Sequence, residues 1–292
     1  MTRIIYFHIS RNMENSLADR LAVLGHPQRL AVFRLLIRRY PDQVAAGDIA
    51  TALDLRPSTL SSYLAALLQA GLIEQTREST WLRYSINVQD VRKTFDALFL
   101  DCCRGRPQLC SPLAFTPKQS PANMTDSKFN VLFICTGNSA RSIFAESILR
   151  AHAGDRFNAY SAGTRPYSVL NDVALEVLRS KGHDVSPLRA KNLDQFRGPD
   201  APQFDFVFTV CDQAANEDCP AWEGQPISAH WGMPDPVKAG GTDAQKSLAF
   251  QQAYGILKNR IAAFSALPLR ELDRISLQRA IDDIARTPET AK

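Results

Sequence analysis

The stretch VLFICTGNSARSIFAES, Val131 to Ser147, constrains the fold of this chain more than any other. An apolar β-like run, Asn130 to Ile134, leads into Cys135, the small polar loop CTGNSAR spans Cys135 to Arg141, and Ser142 opens the helical pattern SIFAESILRAHA. Strand, loop and helix N-terminus in that order make an anion cradle, because backbone N–H groups and the positive helix end attract an oxyanion. The same field, with Arg141, is expected to lower the thiol pKa and make Cys135 a nucleophile facing a tetrahedral oxyanion. Thr136, Gly137, Asn138, Ser139, Ala140, Arg141 and Ser142 are the expected substrate contacts, with Asn138 steadying the loop and Ser142 donating to the sulfur. A cysteine merely packed ahead of a helix is the plainer alternative; the spacing Cys, five residues, Arg, Ser after a strand weighs against it.

The chain has 292 residues, more than one domain usually needs, and is 45% hydrophobic and 22% charged, as expected of a globular protein. Its six cysteines, at 102, 103, 110, 135, 211 and 219, are too few and too clustered for a secreted disulfide scaffold and fit metal, metalloid or redox chemistry. No stretch approaches the roughly 20 apolar residues of a membrane span, and the start MTRIIYFHISRNMENS has no signal core, so a cytoplasmic location is expected. Residues 1–15 fit no element, and Met13 is an alternative start. Residues 1–127 carry 15 Lys+Arg against 11 Asp+Glu, while residues 128–292 carry 19 of each, so the whole net charge of +4 is N-terminal. Thirteen of those fifteen are Arg, which suits phosphate contact but is weak support by itself for nucleic-acid binding. Ser111 to Lys128, SPLAFTPKQSPANMTDSK, reads as a linker between two domains.

Before the linker, Leu21, Leu24, Leu30, Val32, Phe33, Leu36 and Ile37 form a helical apolar face interrupted at Gly25 to Arg29. A short helix over Ala45–Leu55, a turn at Arg56-Pro57-Ser58 and a longer helix over Ser58–Leu72 give a helix-turn-helix rhythm. Leu60, Leu64, Leu67 and Leu68 form the buried stripe of the longer helix, leaving Ser58, Thr59, Ser61, Ser62 and Tyr63 for a major groove, next to Arg56. Leu72–Ile86 reads as a β-hairpin wing carrying Arg77 and Arg83 toward a DNA backbone, and a further helix runs from Val88 to about Cys103. A helical interaction module with a solvated serine-rich helix is the alternative. The order LGHPQRLAVFRLL, IATALDLRPSTLSSYLAALLQAGLIE, then WLRYSI resembles the ArsR family of metal- and metalloid-responsive winged-helix repressors over residues 16–104. The resemblance implies a homodimer, formed through this domain, that releases operator DNA when an ion binds. The cysteines that many arsenic sensors carry in the first helix of the motif are absent from GDIATAL. CCRGRPQLC instead offers Cys102, Cys103 and Cys110, three soft thiolates suited to arsenite or antimonite, whereas structural zinc would want a fourth ligand. Incidental cysteines are the alternative.

After the linker, FDFVFTVCDQAANEDCP supplies a second buried strand, Phe204 to Val210, ending at Cys211, with Cys219 eight residues on. HWGMPDP, His230 to Pro236, sets Asp235 before a proline as a general acid for the leaving oxygen. His152, His183 and His230 lack metal-site spacing and read as surface or packing residues. CTGNSARS, VCDQAANEDCP and HWGMPDP, with YSAGT at Tyr160–Thr164 and the helix FQQAYGILKNRIAAF, resemble thioredoxin-coupled arsenate reductases of the low-molecular-weight tyrosine phosphatase fold over residues 129–267. That resemblance implies a catalytic set of Cys135, Arg141, Asp235, Cys211 and Cys219 and a metal-free thiol relay: arsenate on Cys135, a 135–211 disulfide as arsenite leaves, then a 211–219 disulfide presented to thioredoxin. Glutathione with glutaredoxin is the alternative reductant. Asn138, Glu146 and Ser161 match ligands of a potassium ion held by some members, but Lys191 stands where those have an acid, so its ammonium is expected to replace the ion. The expected architecture is a mainly-α winged helix-turn-helix (16–110), the linker (111–128), an α/β three-layer domain with a four-stranded parallel sheet (129–267) and a tail (268–292). A tyrosine phosphatase fused to a regulator, and a regulator that only binds oxyanion, are the competing functions.

Overall fold

The computed structural model describes residues 17–78, 81–98, 127–198, 200–217, 222 and 224–286. The chain divides into two compact units, Met1–Ala122 and Asn123–Lys292. Cys102, Cys103, Cys110, Cys219, residues 1–15 and nearly all of the expected linker lie outside the described residues.

In the first unit, α1 covers residues 17–24 and α2 Pro27–Arg39; Pro27 at the helix start needs no amide partner and has its φ already set. β1 (Val44–Ala45) precedes α3 (Ala46–Leu53), which ends at Asp54 in a left-handed conformation with φ 49°. α4 is Pro57–Gln69, β2 Ile73–Glu78, β3 Trp81–Ile86 and α5 Val88–Asp96. β3 lies between β1 and β2, antiparallel to both. Leu60, Leu64 and Leu67 of α4 are buried with Val32, Phe33, Leu35 and Leu36 of α2, and Leu68 packs at the edge. The expected apolar face needs correcting at two positions: Leu21 and Ile37 are exposed, and Leu35 is buried instead. On a 3.6-residue turn Leu35 follows Val32 onto the core side, while Ile37 rotates away.

The second unit holds β4 (Phe129–Cys135), α6 (Arg141–Ala153), β5 (Phe157–Gly163), α7 (Asp172–Ser180), β6 (Phe206–Thr209), α8 (Asp212–Asn216), β7 (Ile227–His230), α9 (Asp243–Ser265) and α10 (Arg274–Arg286). The sheet order is β5-β4-β6-β7, all parallel. Val131 to Ile134 are all buried, as a central strand covered on both faces requires. Phe144 of α6 packs edge-on against Phe250 and Tyr254 of α9, and Phe264 of α9 against Phe206 and Phe208. The residues expected as a tail contain α10, which buries Leu277, Ile281 and Ile284 and donates from Gln278 Nε2 to the carbonyl of Ser228 on the edge strand β7 at 3.0 Å.

Candidate active site

β4 and β6 are hydrogen-bonded neighbours, Ile134 opposite Thr209, and the amide of Val210 donates to the carbonyl of Ile134 at 2.8 Å. Their C-terminal ends therefore deliver Cys135 and Cys211 to one place, outside the carboxyl edge of a parallel sheet where such folds build sites. Both thiols are buried.

The loop from Cys135 to Arg141 closes round the first sulfur. Asn138, at φ 44°, directs its amide to Cys135 Sγ at 3.1 Å, and Ser142 Oγ lies 2.9 Å from the same sulfur. The carbonyls of Cys135, Thr136, Gly137 and Ser139 accept from the amides of Thr164, Arg165, Tyr167 and Asn171, so the segment after β5 grips the loop from outside. A side chain at Gly163 would put its Cβ 2.7 Å from the carbonyl oxygen of Thr136, so this close approach needs glycine. The ring of Tyr167 covers Gly137 in the same way.

Behind the loop runs a buried polar chain. Asn138 Nδ2 donates to Ser142 Oγ at 2.8 Å and to Ser161 Oγ at 2.9 Å, while its Oδ1 accepts from the amide of Lys191 at 2.7 Å. Ser161 donates to Glu146, Lys191 Nζ lies 2.9 Å from Glu146 Oε2 and 3.0 Å from the carbonyl of Arg189, and Arg150 also pairs with Glu146. The ammonium thus sits on Glu146, which Ser161 also contacts, while Asn138 is met by the backbone amide of Lys191. Burial pulls Lys191 below the ordinary lysine range, with Glu146 pulling it back.

Arg141 and Asp235 form an ion pair at 2.8 Å, and Asp235 Oδ1 accepts from the amide of Val237 at the start of a short 3₁₀ turn, Pro236–Lys238. Cys211 caps α8, its sulfur accepting from the amide of Ala214 at 3.4 Å, with Thr136 Oγ1 also 3.4 Å from it. The expected lowering of the Cys135 pKa is overturned: burial pushes the thiol up, Cys211 adds to this, and Ser142 and Arg141 pull down less strongly. Cys135 is only 3% exposed, so loss of solvation outweighs the local field.

In the first unit, Ser61 Oγ and Ser62 Oγ donate back to the carbonyls of Pro57 and Thr59, and Tyr63 donates to Gln28. Arg56 and Ser58 are exposed and Thr59 half-buried at the start of α4. Strand register puts Arg77 opposite Leu82, on the Tyr84 face, while Arg83 is opposite Thr76 on the other face and pairs with Glu78. The two wing arginines therefore leave opposite sides of the hairpin. The sequence reading overlooked Tyr167, Arg260 and the contact of Asp212 with His230, 18 residues apart, because no local spacing announces them.

The family model described as low molecular weight phosphotyrosine protein phosphatase matches residues 130–275, and a helix-turn-helix domain model matches residues 24–76. An arsenate reductase of Bacillus licheniformis is 38% identical over 140 residues, 48% of this chain and 96% of that protein. One of Halalkalibacterium halodurans is 36% identical over 135 residues, 46% of this chain and 94% of that protein. Among solved structures, an ArsR-like transcriptional regulator from Rhodococcus sp. RHA1 is 22% identical, with TM-score 0.29, covering 34% of this chain and 90% of that one. With the loop of Cys135 to Arg141 at the end of β4 and a four-stranded parallel sheet behind it, the chain belongs to the low molecular weight phosphotyrosine protein phosphatase family, as a member that carries a helix-turn-helix domain ahead of the family domain.

Proposed function

We propose that this chain is a bifunctional arsenic-resistance protein: an arsenate reductase working by a cysteine relay, joined to an arsenite-responsive repressor. One observation carries the enzymatic reading: adjacent parallel strands end in two buried thiols, Cys135 inside the anion loop and Cys211 against its Thr136 wall. Phosphate-ester hydrolysis needs only the first. The Cys135 sulfur attacks arsenate held by the loop amides and Arg141, its thiol proton passing to an arsenate oxygen, while Asp235 protonates the departing oxygen. Cys211 then attacks Cys135 Sγ, so the S–S bond forms, the S–As bond breaks with its electron pair left on arsenic, and As(V) departs as arsenite. Cys219 attacks Cys211, freeing Cys135 as the thiol, and a dithiol donor reduces the 211–219 disulfide. Thioredoxin is the donor we assign, glutaredoxin with glutathione the runner-up; no metal is needed.

The helix-turn-helix domain takes operator DNA through Arg56, Ser58, Thr59, Ser61, Ser62 and Tyr63 of α4 and its lead-in, with Arg77 and Arg83 on the wing, as a homodimer. Cys102, Cys103 and Cys110 capture arsenite or antimonite as effector. A reducing cytoplasm suits free thiols on both counts.

The deciding experiment is arsenate-dependent NADPH oxidation by the full chain with thioredoxin and its reductase; absence of turnover there and with glutaredoxin sinks the reductase. The family model itself favours one competitor, a tyrosine phosphatase fused to a regulator. Hydrolysis of an aryl phosphate undiminished in Cys211→Ser, without arsenate turnover in the parent, would establish that competitor.

A further inference from the structure

Asp212 is the first residue of α8, directly after Cys211, and His230 is the last of β7. The His230 side chain is buried, with Nδ1 2.8 Å from Thr209 Oγ1 and Nε2 3.3 Å from Asp212 Oδ1. A carboxylate only accepts, so Nε2 carries the hydrogen and donates to Asp212; in the neutral ring Nδ1 then accepts from the Thr209 hydroxyl. Thr209 and His230 are register partners on adjacent strands, which fixes the imidazole between the strand that leads to Cys211 and the segment that leads to Asp235. Gly232 closes over the pair: a Cβ there would fall 2.5 Å from His230 Nε2 and 2.8 Å from Asp212 Oδ1. Arg260 of α9 holds the carbonyls of Trp231 and Gly232 at 2.9 and 3.0 Å. Arg141 Nη1 donates weakly to the carbonyl of Met233 at 3.4 Å, and Asp235 pairs with the same arginine.

We infer that Asp212 and His230 are positioning residues for the thiol-transfer step, seating the first turn of α8 so that Cys211 stays against Thr136 and beside Cys135. The inference rests on reading Cys211 as the second thiol of the relay. In that step the Cys211 sulfur bonds to Cys135 Sγ, the S–As bond breaks, its electron pair reduces As(V) to As(III), and the Cys211 proton passes to solvent. Asp212 and His230 supply none of the reacting atoms. They act through the backbone of Cys211, whose neighbour they hold, and an attacking atom misplaced by about 1 Å can cost roughly a hundredfold in rate.

The test uses the full chain with Cys219→Ser, which limits each molecule to one arsenite, and adds Asp212→Ala or Asp212→Asn. The Asp212 side chain is 56% exposed, so either replacement leaves the core intact. Two quantities are read: the single-turnover rate of arsenite release from arsenate, and the protection of Cys135 from iodoacetamide by inorganic phosphate, followed by peptide mass. Asp212→Ala is expected to slow release about ten- to a hundredfold, with phosphate protection unchanged. Asp212→Asn, which keeps an oxygen acceptor for Nε2, should recover most of the rate. Release by Asp212→Ala at the parent rate overturns the inference, as does a parallel loss of release and phosphate protection, which would mark general damage to the site. A parent chain that makes no arsenite would instead overturn the reductase reading, a separate result.

Discussion

Arg141 and Asp235, 94 positions apart in the sequence, are ion-paired at 2.8 Å with both side chains largely shielded from water. The guanidinium expected to grip the oxyanion is therefore engaged by the carboxylate expected to protonate its leaving oxygen, and an incoming anion competes with Asp235 for it.

Asp235→Asn should therefore split two effects. Loss of the acid lowers kcat for arsenate by about 10²- to 10⁴-fold. Removal of the competing charge tightens oxyanion binding, seen as phosphate protecting Cys135 at lower concentration. Weaker phosphate binding would show that the carboxylate holds the arginine in its working position.

Cys135→Ser should leave only trace reduction, and DNA binding unaltered, because a hydroxyl does not ionise in this setting. Cys219→Ser should give one turnover and trap a 135–211 disulfide, and Cys211→Ser should stall before arsenite leaves. Peptide mass mapping of the quenched reactions separates the three; repeated turnover by Cys219→Ser with thioredoxin alone contradicts the relay.

Because burial raises the Cys135 pKa, alkylation by iodoacetamide should climb with pH and reach half its maximum above the ordinary cysteine value. The sign is that of a group whose neutral form the fold favours: the unreactive thiol persists as pH rises through the ordinary range. Ser142→Ala removes a hydrogen bond that favours the thiolate and should move the midpoint higher still. A midpoint below free cysteine would mean that the loop amides and the helix end outweigh burial.

Lys191→Met leaves the Glu146 carboxylate buried with Arg150 as its remaining cation. Breaking a buried pair typically costs about 3–5 kcal/mol, and the remaining arginine places this case toward the lower end. Thermal unfolding of the second unit should fall accordingly, while turnover of the parent chain should not change when potassium replaces sodium. A clear potassium dependence would show that the ammonium does not fill the ion's role.

Replacing Cys102, Cys103 and Cys110 by serine should leave operator affinity and arsenate turnover intact and abolish the response to arsenite, since serine is a poor ligand for a soft ion. The parent should lose roughly 5- to 150-fold in operator affinity on binding arsenite, the usual range of effector coupling. Fluorescence anisotropy of labelled operator decides it; equal release from both proteins would locate the sensor elsewhere.

By itself the sequence determined what is local. Apolar runs with period two or 3.6, proline at positions 27 and 57, and the Cys135–Arg141 spacing specify the strand, the helix starts and the anion loop within a few residues, because each depends on neighbours in the chain. Ser142 beside the sulfur was legible for the same reason. Only the tertiary structure decided what depends on distant groups. Strand order brings Cys211 to the end of β6 beside β4, and packing sets Lys191 on Glu146 and closes Asp235 on Arg141. It also reversed one expectation and set one geometry that the sequence left open. The Cys135 thiol is raised because solvation is lost when β4 is covered on both faces, and Arg77 and Arg83 face opposite ways because one hairpin register assigns every side chain its side.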